Sequence, residues 1–551
     1  MGLLPAWGEK FEVGKVIHPV VAELPAPQLS EGFGKGQMAI TTRSDEAARH
    51  FALGVTKLNT MWDFEAYRHF CEAVKLDPEC LMGYWGISMS LAGVNHEFFE
   101  ERKAAIDRML DLLEAEKEAG TDRWNVMETG FVQATGYLLT DGPRVAGQTF
   151  EALARKYPAN LQARLLALVM KRDGFDRRGK PRLGQRRAER GLEEMLEAHP
   201  ENLSIMTSWI NLRCQSPGGA AELRDEVLPV ARKLAERKPD YPPFQLILAQ
   251  VELRCGNFVE GLKAATQAKE LFEGYMEKEG VTVYDCGGWV KSQLFRAELF
   301  RLRGERAKAL EIARELSARK VEEERVFSQG AVLLMWEGRT LGARLMIAGS
   351  KPADFIEGQD IMKLQGDEAW FKEKSFALYY RDCLAFYLAV RGAIADGKVP
   401  VAKEFYDQFL LRVQGFEKTR PLASKTSSYS QWIRAASTVA MLLPELRGVF
   451  AETEEGATRM TAATWYRSAR DRQLSPSTGL PPTVPYPMEW RLGNHYAGGE
   501  NYVEAASWYL KALDMRPNHP AILGGLEKVA DKLGKTEEAA ALRKQIEKVT
   551  E

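Results

Sequence analysis

The chain has 551 residues, more than one hydrophobic core usually organises, so we expect several domains or an open array of repeats. Lys and Arg number 75 and Asp and Glu 76, so a formal net charge of −1 gives no overall attraction to nucleic acid or to an anionic membrane. An apolar content of 45% is typical of a folded protein and argues against wholesale disorder.

Residues 1–43 are predicted to form an irregular arm laid along the folded body, because prolines and glycines interrupt any helical pattern there. The first residues lack the basic-then-apolar order of a secretion signal, and no apolar run in the sequence is long enough to span a membrane. Two interpretations stay open: a cytoplasmic protein as the sequence is written, or a periplasmic or exported one in which Met1-Gly2 replaces a signal peptide.

His69, Cys71 and Cys80 lie close enough in sequence to suggest a metal site. Zinc needs ligands in tetrahedral reach, and no fourth candidate lies at a recognisable spacing, so we predict no metal and no other cofactor. None of the six cysteines forms a C-x-x-C pair, and six thiols are too few for a disulfide scaffold in a chain of this length. We expect them to be small buried groups.

From about Ser44 onward, apolar residues recur every three or four positions, which predicts helices joined by short turns. No alternating strand pattern stands out, so the fold class is predicted to be all-α. The predicted segments are an arm at 1–43, N-terminal hairpins at 44–200, central hairpins at 201–350, divergent helical hairpins at 351–474, a proline-rich connector at 475–487 and C-terminal hairpins at 488–551.

Small and aromatic residues recur at one spacing in three places, which indicates an internal repeat. The copies are Gly54, Ala66, Phe70, Ala73 and Pro78; Gly493, Ala505, Tyr509, Ala512 and Pro517; and Ala134, Ala146, Phe150 and Pro158, with Leu153 where the other copies have alanine. Small residues let two helices cross closely, the ring packs on the same face, and the proline ends the unit. Leu153 is expected to loosen its crossing.

Partial copies of the same repeat fill the space between the full ones. Their predicted inter-helix turns are Gly256-Asn257, Gly304-Glu305 and Gly338-Arg339, and a further turn, Gly534-Lys535, is predicted at the C-terminus. These spacings and residue types resemble tetratricopeptide repeats, which implies an α-α superhelix, a solenoid of roughly ten helical hairpins.

Residues 43–86 and 480–549 resemble, more narrowly, the opening and closing segments of a largely uncharacterised bacterial family of long tetratricopeptide proteins. The histidine-rich stretch that this family has near its centre has no evident counterpart here. No ligand role of those histidines can therefore be carried over to this chain.

Stacked hairpins form a concave groove lined by their first helices, and that groove is the usual binding surface of helical solenoids. Residues that follow the small crossing positions are predicted to turn toward it, although they could equally be solvated polar positions. The candidates chosen in this way are Thr135, Gln250, Arg254, Glu298, Arg301 and Asn494, with Trp85 and Trp490 added because they lie by the preceding turn.

The run RRGKPRLGQRRAER at 177–190 is strongly basic, and we interpret it first as a solvated inter-helix loop. It is also the most favourable place in the sequence for binding an anion. The candidates there are Arg177, Arg178, Lys180, Arg182, Arg186 and Arg187. The proline-rich stretch at 475–487 is interpreted as a stiff connector, with a ligand for a proline-binding module as the alternative.

The motifs of zincins, α/β-hydrolases and kinases are absent from the sequence, so no catalytic residue and no enzymatic activity is predicted. We favour a repeat scaffold or assembly factor that binds a protein or peptide partner in its groove. One alternative is an all-helical hydrolase acting on carbohydrate, which would need paired acids in an aromatic-lined cavity of an α/α toroid. Another is anion or nucleic-acid binding through 177–190.

Overall fold

The computed structural model describes residues 11–33, 38–92, 96–176, 180–217, 219–363, 374–426, 428–453, 458–473 and 479–550. Within these ranges the regular structure is helical, apart from one isolated antiparallel bridge between Phe175 and Pro181. The predicted all-α class is confirmed. In the same ranges, no helix combines the length and the apolar character that crossing a membrane requires.

The chain divides into two compact units. Unit 1 comprises Met1–Asp173, Leu183–Trp209 and Lys278–Val281, and unit 2 comprises Gly174–Arg182, Ile210–Glu277 and Thr282–Glu551.

Unit 1 consists of successive helices that pack in pairs. They are α1 (Pro19–Ala22), α2 (Asp45–Asn59), α3 (Asp63–Leu76), α4 (Leu81–Ser90), α5 (Phe99–Ala119), α6 (Val126–Thr140), α7 (Pro143–Lys156), α8 (Leu161–Met170), α9 (Leu183–Ala198) and the start of α10 (Leu203–Arg213).

Unit 2 continues the same alternation of helix and short turn. Its helices are α11 (Ala220–Glu222), α12 (Leu228–Arg237), α13 (Pro242–Cys255), α14 (Phe258–Glu279), α15 (Gly287–Leu302), α16 (Arg306–Ala318), α17 (Gln329–Leu333), α18 (Leu341–Met346), α19 (Pro352–Met362), α20 (Ala377–Ala395), α21 (Val399–Lys418), α22 (Arg420–Ala423), α23 (Tyr429–Thr453), α24 (Thr458–Arg470), α25 (Met488–Gly498), α26 (Tyr502–Met515), α27 (Pro520–Lys532) and α28 (Thr536–Thr550).

The helices of unit 2 form hairpins such as α20 with α21, α23 with α24 and α25 with α26, while the first helices α13 and α15 also pack side by side. Three of the four predicted turns fall between helices, whereas Gly338 of the fourth is the last residue of a π-helical turn, Leu334–Gly338, and only Arg339 lies in the turn. Gly256, Gly304 and Gly534 have φ of 78°, 78° and 72°, a left-handed conformation that glycine adopts without strain.

The N-terminal repeat is held together by one aromatic ring set between two glycines. A Cβ atom added to Gly54 on α2 would lie 2.6 Å from Cε1 of Phe70, and one added to Gly86 on α4 would lie closer still to the same ring. Phe70 on α3 is fully buried. Glycine therefore allows three successive helices to share one ring, which is the close crossing that the spacing predicted.

The C-terminal repeat uses the same arrangement. Cβ atoms added to Gly493 or Gly525 would each lie 2.6 Å from atoms of the Tyr509 ring, which is 2% exposed. The resemblance to tetratricopeptide repeats is confirmed by these hairpins. The narrower resemblance to one bacterial family stays a prediction.

The middle repeat corrects one expectation, because Leu153 does not loosen its crossing. Gly130 on α6 faces this leucine, and a Cβ atom there would lie 2.6 Å from Leu153 Cδ2. The larger side chain at one position is matched by the absence of a side chain at the other, so the helices still approach closely.

The N-terminal arm hydrogen-bonds to helices of unit 1, and it includes the short helix α1 within the stretch predicted to be irregular. The Tyr67 hydroxyl donates to the Val16 carbonyl oxygen and accepts from the His18 amide, both at 2.9 Å. Further along, the Thr41 hydroxyl donates to Glu128 at 2.7 Å. The arm is thus fixed to helices by hydrogen bonds to buried polar groups, which are costly to leave unpaired.

Candidate functional site

The proline-rich segment, defined here as residues 479–487, links α24 to α25 in sequence and lies against the first helices of unit 2. Its Gly479 amide donates to Gln250 Oε1 on α13 at 2.8 Å. Arg434 Nη2 on α23 donates to the Pro481 carbonyl oxygen at 2.5 Å, and the Thr438 and Thr483 hydroxyls lie 2.9 Å apart. The segment is therefore more than the stiff connector that its composition predicted. We call the residues that hold it, on or next to the first helices of several hairpins, the first-helix surface; they are Gln250, Arg301, Arg434, Thr438 and His519.

The other end of the segment is held at the start of α27. His519 Nε2 lies 3.0 Å from the Pro485 carbonyl oxygen, and Arg301 Nη2 lies 3.4 Å from the same oxygen. Burial, together with the charge of Arg301, holds the pKa of His519 well below its usual range, so the ring is neutral. A carbonyl oxygen only accepts, so Nε2 carries the proton and donates to Pro485.

A carboxylate that is fully buried anchors Tyr486 of the segment. Glu445 on α23 accepts from Arg491 Nε at 2.5 Å, from the Tyr387 hydroxyl at 2.8 Å and from the Tyr486 hydroxyl at 3.1 Å. Burial disfavours its charge, yet Arg491 and Arg391 hold the pKa of Glu445 below its usual range. The carboxylate thus stays ionised and acts as a fixed acceptor.

A second buried carboxylate supports Arg434. Glu337 accepts from Arg434 Nε at 2.9 Å and also pairs with Arg344. Burial again opposes ionisation, but the two guanidinium groups lower the pKa of Glu337. Arg434 can therefore present its second nitrogen to Pro481 while its charge is compensated.

The sequence-predicted groove residues of unit 2 lie close to this segment or to its flanks. Gln250 and Arg301 contact it directly, and Glu298 pairs with Arg301 at 2.8 Å. The Trp490 ring lies 4.4 Å from the Tyr486 ring, between centroids. Asn494 Oδ1 instead accepts from the Tyr509 hydroxyl at 2.6 Å, inside its own repeat.

The two groove candidates of unit 1 lie in the packed interior. Trp85 is fully buried, Thr135 is 2% exposed, and the indole Nε1 donates to the threonine hydroxyl at 3.0 Å. In this arrangement neither side chain is accessible to a partner. Their assignment as binding residues has no support from these contacts and stays a prediction.

The basic run is interrupted by a helix. Arg177 and Arg178 lie outside the described residues, and Lys180 and Arg182 lie in a turn in which the Arg182 amide donates to the Gly174 carbonyl oxygen at 2.9 Å. Arg186 and Arg187 are exposed on α9, which begins at Leu183. The prediction of one loop across 177–190 is therefore wrong beyond Arg182, because residues from 183 onward have strong helical periodicity.

The opening cluster of potential metal ligands does not converge on one point. His69 Nδ1 instead lies 3.0 Å from His50 Nδ1 inside unit 1, and among the described residues no three His, Cys, Asp or Glu side chains could share an ion. All six cysteines are buried and unpaired. Burial raises the pKa of the Cys80 thiol to about 12.

A small cavity of about 60 Å³, partly open to solvent, lies beside the proline-rich segment. Its polar lining residues are Gln250, Arg254, Arg434, Gln473, Thr483, Tyr486 and Arg516. The described lining residues include no carboxylate, so this cavity offers no support for the paired acids that the carbohydrate-hydrolase alternative requires.

Sequence reasoning missed Arg434, Glu445, Arg516 and His519. The first two lie in the divergent part of the chain, where no repeat spacing marks which face of a helix points to a neighbour. Arg516 and His519 lie on either side of Pro517, which closes the last full repeat. Their closeness to this proline is the one feature of the sequence that could have marked them as candidates.

No protein-family profile and no curated protein sequence matches this chain. Among solved structures, the human IFIT1 dimer with m7Gppp-AAAA is 13% identical, with 93% of this chain and 91% of that chain covered and a TM-score of 0.33. The Cut9-Hcn1 hetero-tetramer of APC/C is 13% identical over 90% of this chain and 79% of that chain, with a TM-score of 0.32. Yeast Tom70 is 12% identical over 91% and 92%, with a TM-score of 0.27.

Proposed function

We propose that this chain is a non-catalytic helical repeat scaffold that binds an extended peptide of a partner protein on the first-helix surface of unit 2. The proline-rich segment supports this proposal, because the surface already holds one extended stretch of chain. Main-chain hydrogen bonds supply affinity for an extended peptide, and pockets for its side chains supply selectivity.

The contacts to the segment are largely made to its main chain. Gln250 accepts from an amide, while Arg434, Arg301 and His519 face carbonyl oxygens. Every peptide carries these groups, so a partner peptide could replace the segment without having its sequence. The buried side chains Leu480 and Val484 mark where such a partner would place apolar residues.

Competition by the covalently attached segment should weaken binding to the intact protein. An attached segment acts at an effective concentration in the millimolar range, so a free peptide must compete with it. Binding by a partner therefore couples to release of the segment, and a looser segment should expose the surface more often.

A peptide with the sequence of residues 479–487, GLPPTVPYP, tests the proposal directly. We expect it to bind the double variant P482G/P485G more tightly than the natural protein, by up to about tenfold, because each glycine makes ordering of the attached segment less favourable. Isothermal titration calorimetry gives both affinities.

The matched variants separate the surface from the rest of the molecule. Gln250→Ala in the P482G/P485G background should weaken peptide binding, whereas Arg543→Gln on the exposed face of α28 should leave it unchanged. Binding that is equally strong after Gln250→Ala and Arg301→Gln, or no binding to P482G/P485G at all, would rule out this surface.

A further inference from the structure

The cavity beside the proline-rich segment carries an excess of positive charge. Three arginines line it, Arg254, Arg434 and Arg516, and no carboxylate is among its described lining residues. Arg434 is compensated, because Glu337 pairs with it at 2.9 Å. The charges of the other two arginines need a separate account.

Arg254 on α13 is 6% exposed and forms no ion pair in the described part of the chain. Its Nη1 donates to the Cys214 carbonyl oxygen at 2.8 Å and its Nη2 to the Ser216 carbonyl oxygen at 2.9 Å. Its Nε is buried and has no acceptor among the described residues. Neutral carbonyl groups therefore orient this guanidinium without balancing its charge.

Arg516 follows α26 and is even less satisfied. Its side chain makes no hydrogen bond or ion pair within the described ranges, and its Nε is buried without an acceptor. Burial, reinforced by the nearby charge of Arg254, lowers the pKa of Arg516 to about 10. Glu298 and Glu489 oppose this shift without reaching ion-pair distance.

Other buried arginines show how this chain usually compensates such charge. Arg68 pairs with Glu65 at 2.7 Å and with Glu279 at 2.9 Å, and Arg491 pairs with Glu445 at 2.5 Å. A buried charge without a partner is strongly unfavourable. Arg254 is buried and Arg516 is partly exposed, so a counter-charge between them would chiefly stabilise the guanidinium of Arg254.

We propose that this cavity binds the oxyanion group of a small molecule, a carboxylate or a phosphate, between Arg254 and Arg516. The planar guanidinium fork matches both groups, and hydrogen bonds between two charged partners are the strongest that side chains form. One N–H of Gln473 Nε2 donates to Glu489 and its Oε1 accepts from the Met488 amide, so only the second N–H of this amide is left as a further donor. This inference concerns a small anion and does not depend on peptide binding at the first-helix surface.

Inorganic phosphate and succinate are the probes, added to the full chain in chloride buffer at matched ionic strength. We expect one or both to bind in calorimetry and to raise the unfolding temperature, because a ligand of the folded state stabilises it. Binding of phosphate alone would indicate a ligand that carries a phosphate group, and binding of succinate alone would indicate a carboxylate ligand.

The variant R516Q should weaken binding about tenfold or more, because it removes a charge-assisted hydrogen-bond donor. Without added anion, R516Q should unfold at the same temperature as the natural protein or higher, since it removes an uncompensated charge. R543Q on the exposed face of α28 is the control for general salt effects and should bind as the natural protein does.

Should R516Q fail to fold, R516K keeps the charge without the planar fork, and weaker but measurable binding is then expected. The proposal is overturned if neither probe binds the natural protein. It is equally overturned if the glutamine variant, or the lysine variant in its place, binds as tightly as the natural protein.

Discussion

The first and last full repeats have the same spacing but different polar surroundings. In both, one ring is set between glycines of neighbouring helices: Phe70 in the first and Tyr509 in the last. The residue before the closing proline is Asp77 in the first repeat, where Thr42 and Arg43 hydrogen-bond to it, and Arg516 in the last, where the described chain offers no partner. Repeat spacing thus determines where helices touch, while the polar positions are free to diverge and to acquire function.

The largest expected effect comes from filling a glycine position in the first repeat. Gly86→Ala should lower the free energy of unfolding by about 3 kcal/mol, because its methyl group would overlap the fully buried Phe70 ring. Chemical denaturation measures this change.

Gly136→Ala is the matched control for that substitution. A Cβ atom there meets nothing within 4 Å, and this glycine lies inside α6, so alanine should stabilise by about 0.5–1 kcal/mol. Equal effects at the two sites would contradict the proposed ring-and-glycine packing.

The second prediction concerns the residue before each closing proline. Asp77→Ala should lower the free energy of unfolding by about 2 kcal/mol, because the Thr42 hydroxyl and the Arg43 amide lose their acceptor at 2.6 and 2.9 Å. Urea denaturation at neutral pH measures the change.

The equivalent substitution in the last repeat, Arg516→Gln, should cause no comparable loss. A similar loss at both positions would contradict the view that Asp77 makes stabilising contacts that Arg516 lacks.

The sequence predicted the hairpins and their crossings because residue size at regular spacing is a local signal. Phe70 with Gly54, and Tyr509 with Gly493, were identified on this basis alone. The matching of Leu153 by Gly130 was missed, since Gly130 lies outside the repeat positions.

The contacts around the proline-rich segment could not be predicted in the same way. Arg434 and Thr438 contact residues more than 40 positions away, and no periodicity connects an extended segment with a helix so distant in sequence. Side-chain charge also gives no indication of its partner, so Arg254 and Arg434 look alike in sequence although only Arg434 pairs with a carboxylate.

The third prediction concerns the residue before each ring, which is His69 in the first repeat and Trp508 in the last. Burial, with added repulsion from Lys57, holds the pKa of His69 well below 6.5, so the folded chain keeps it neutral. In the unfolded chain this histidine binds a proton below about pH 6.5. The free energy of unfolding therefore has its full value above this pH and falls by up to about 1.4 kcal/mol per pH unit below it.

His69→Gln should reduce this acid-dependent loss, measured as the free energy of unfolding between pH 7 and pH 5. His199→Gln, at an exposed position, is the control and should leave the slope unchanged. An unchanged slope in His69→Gln would contradict a neutral buried imidazole.

The smallest effect concerns the ring itself, because the two repeats differ here by one hydroxyl group. Tyr509 donates to Asn494 at 2.6 Å, and burial raises the pKa of this phenol to about 12, so it remains a donor at neutral pH. Tyr509→Phe should lower the free energy of unfolding by about 1 kcal/mol, the usual net value of one hydrogen bond. The double variant Tyr509→Phe with Asn494→Ala, compared with each single variant in denaturation, isolates the pairwise contribution. A coupling energy near zero would mean that Tyr509, like Phe70, is held by its ring alone.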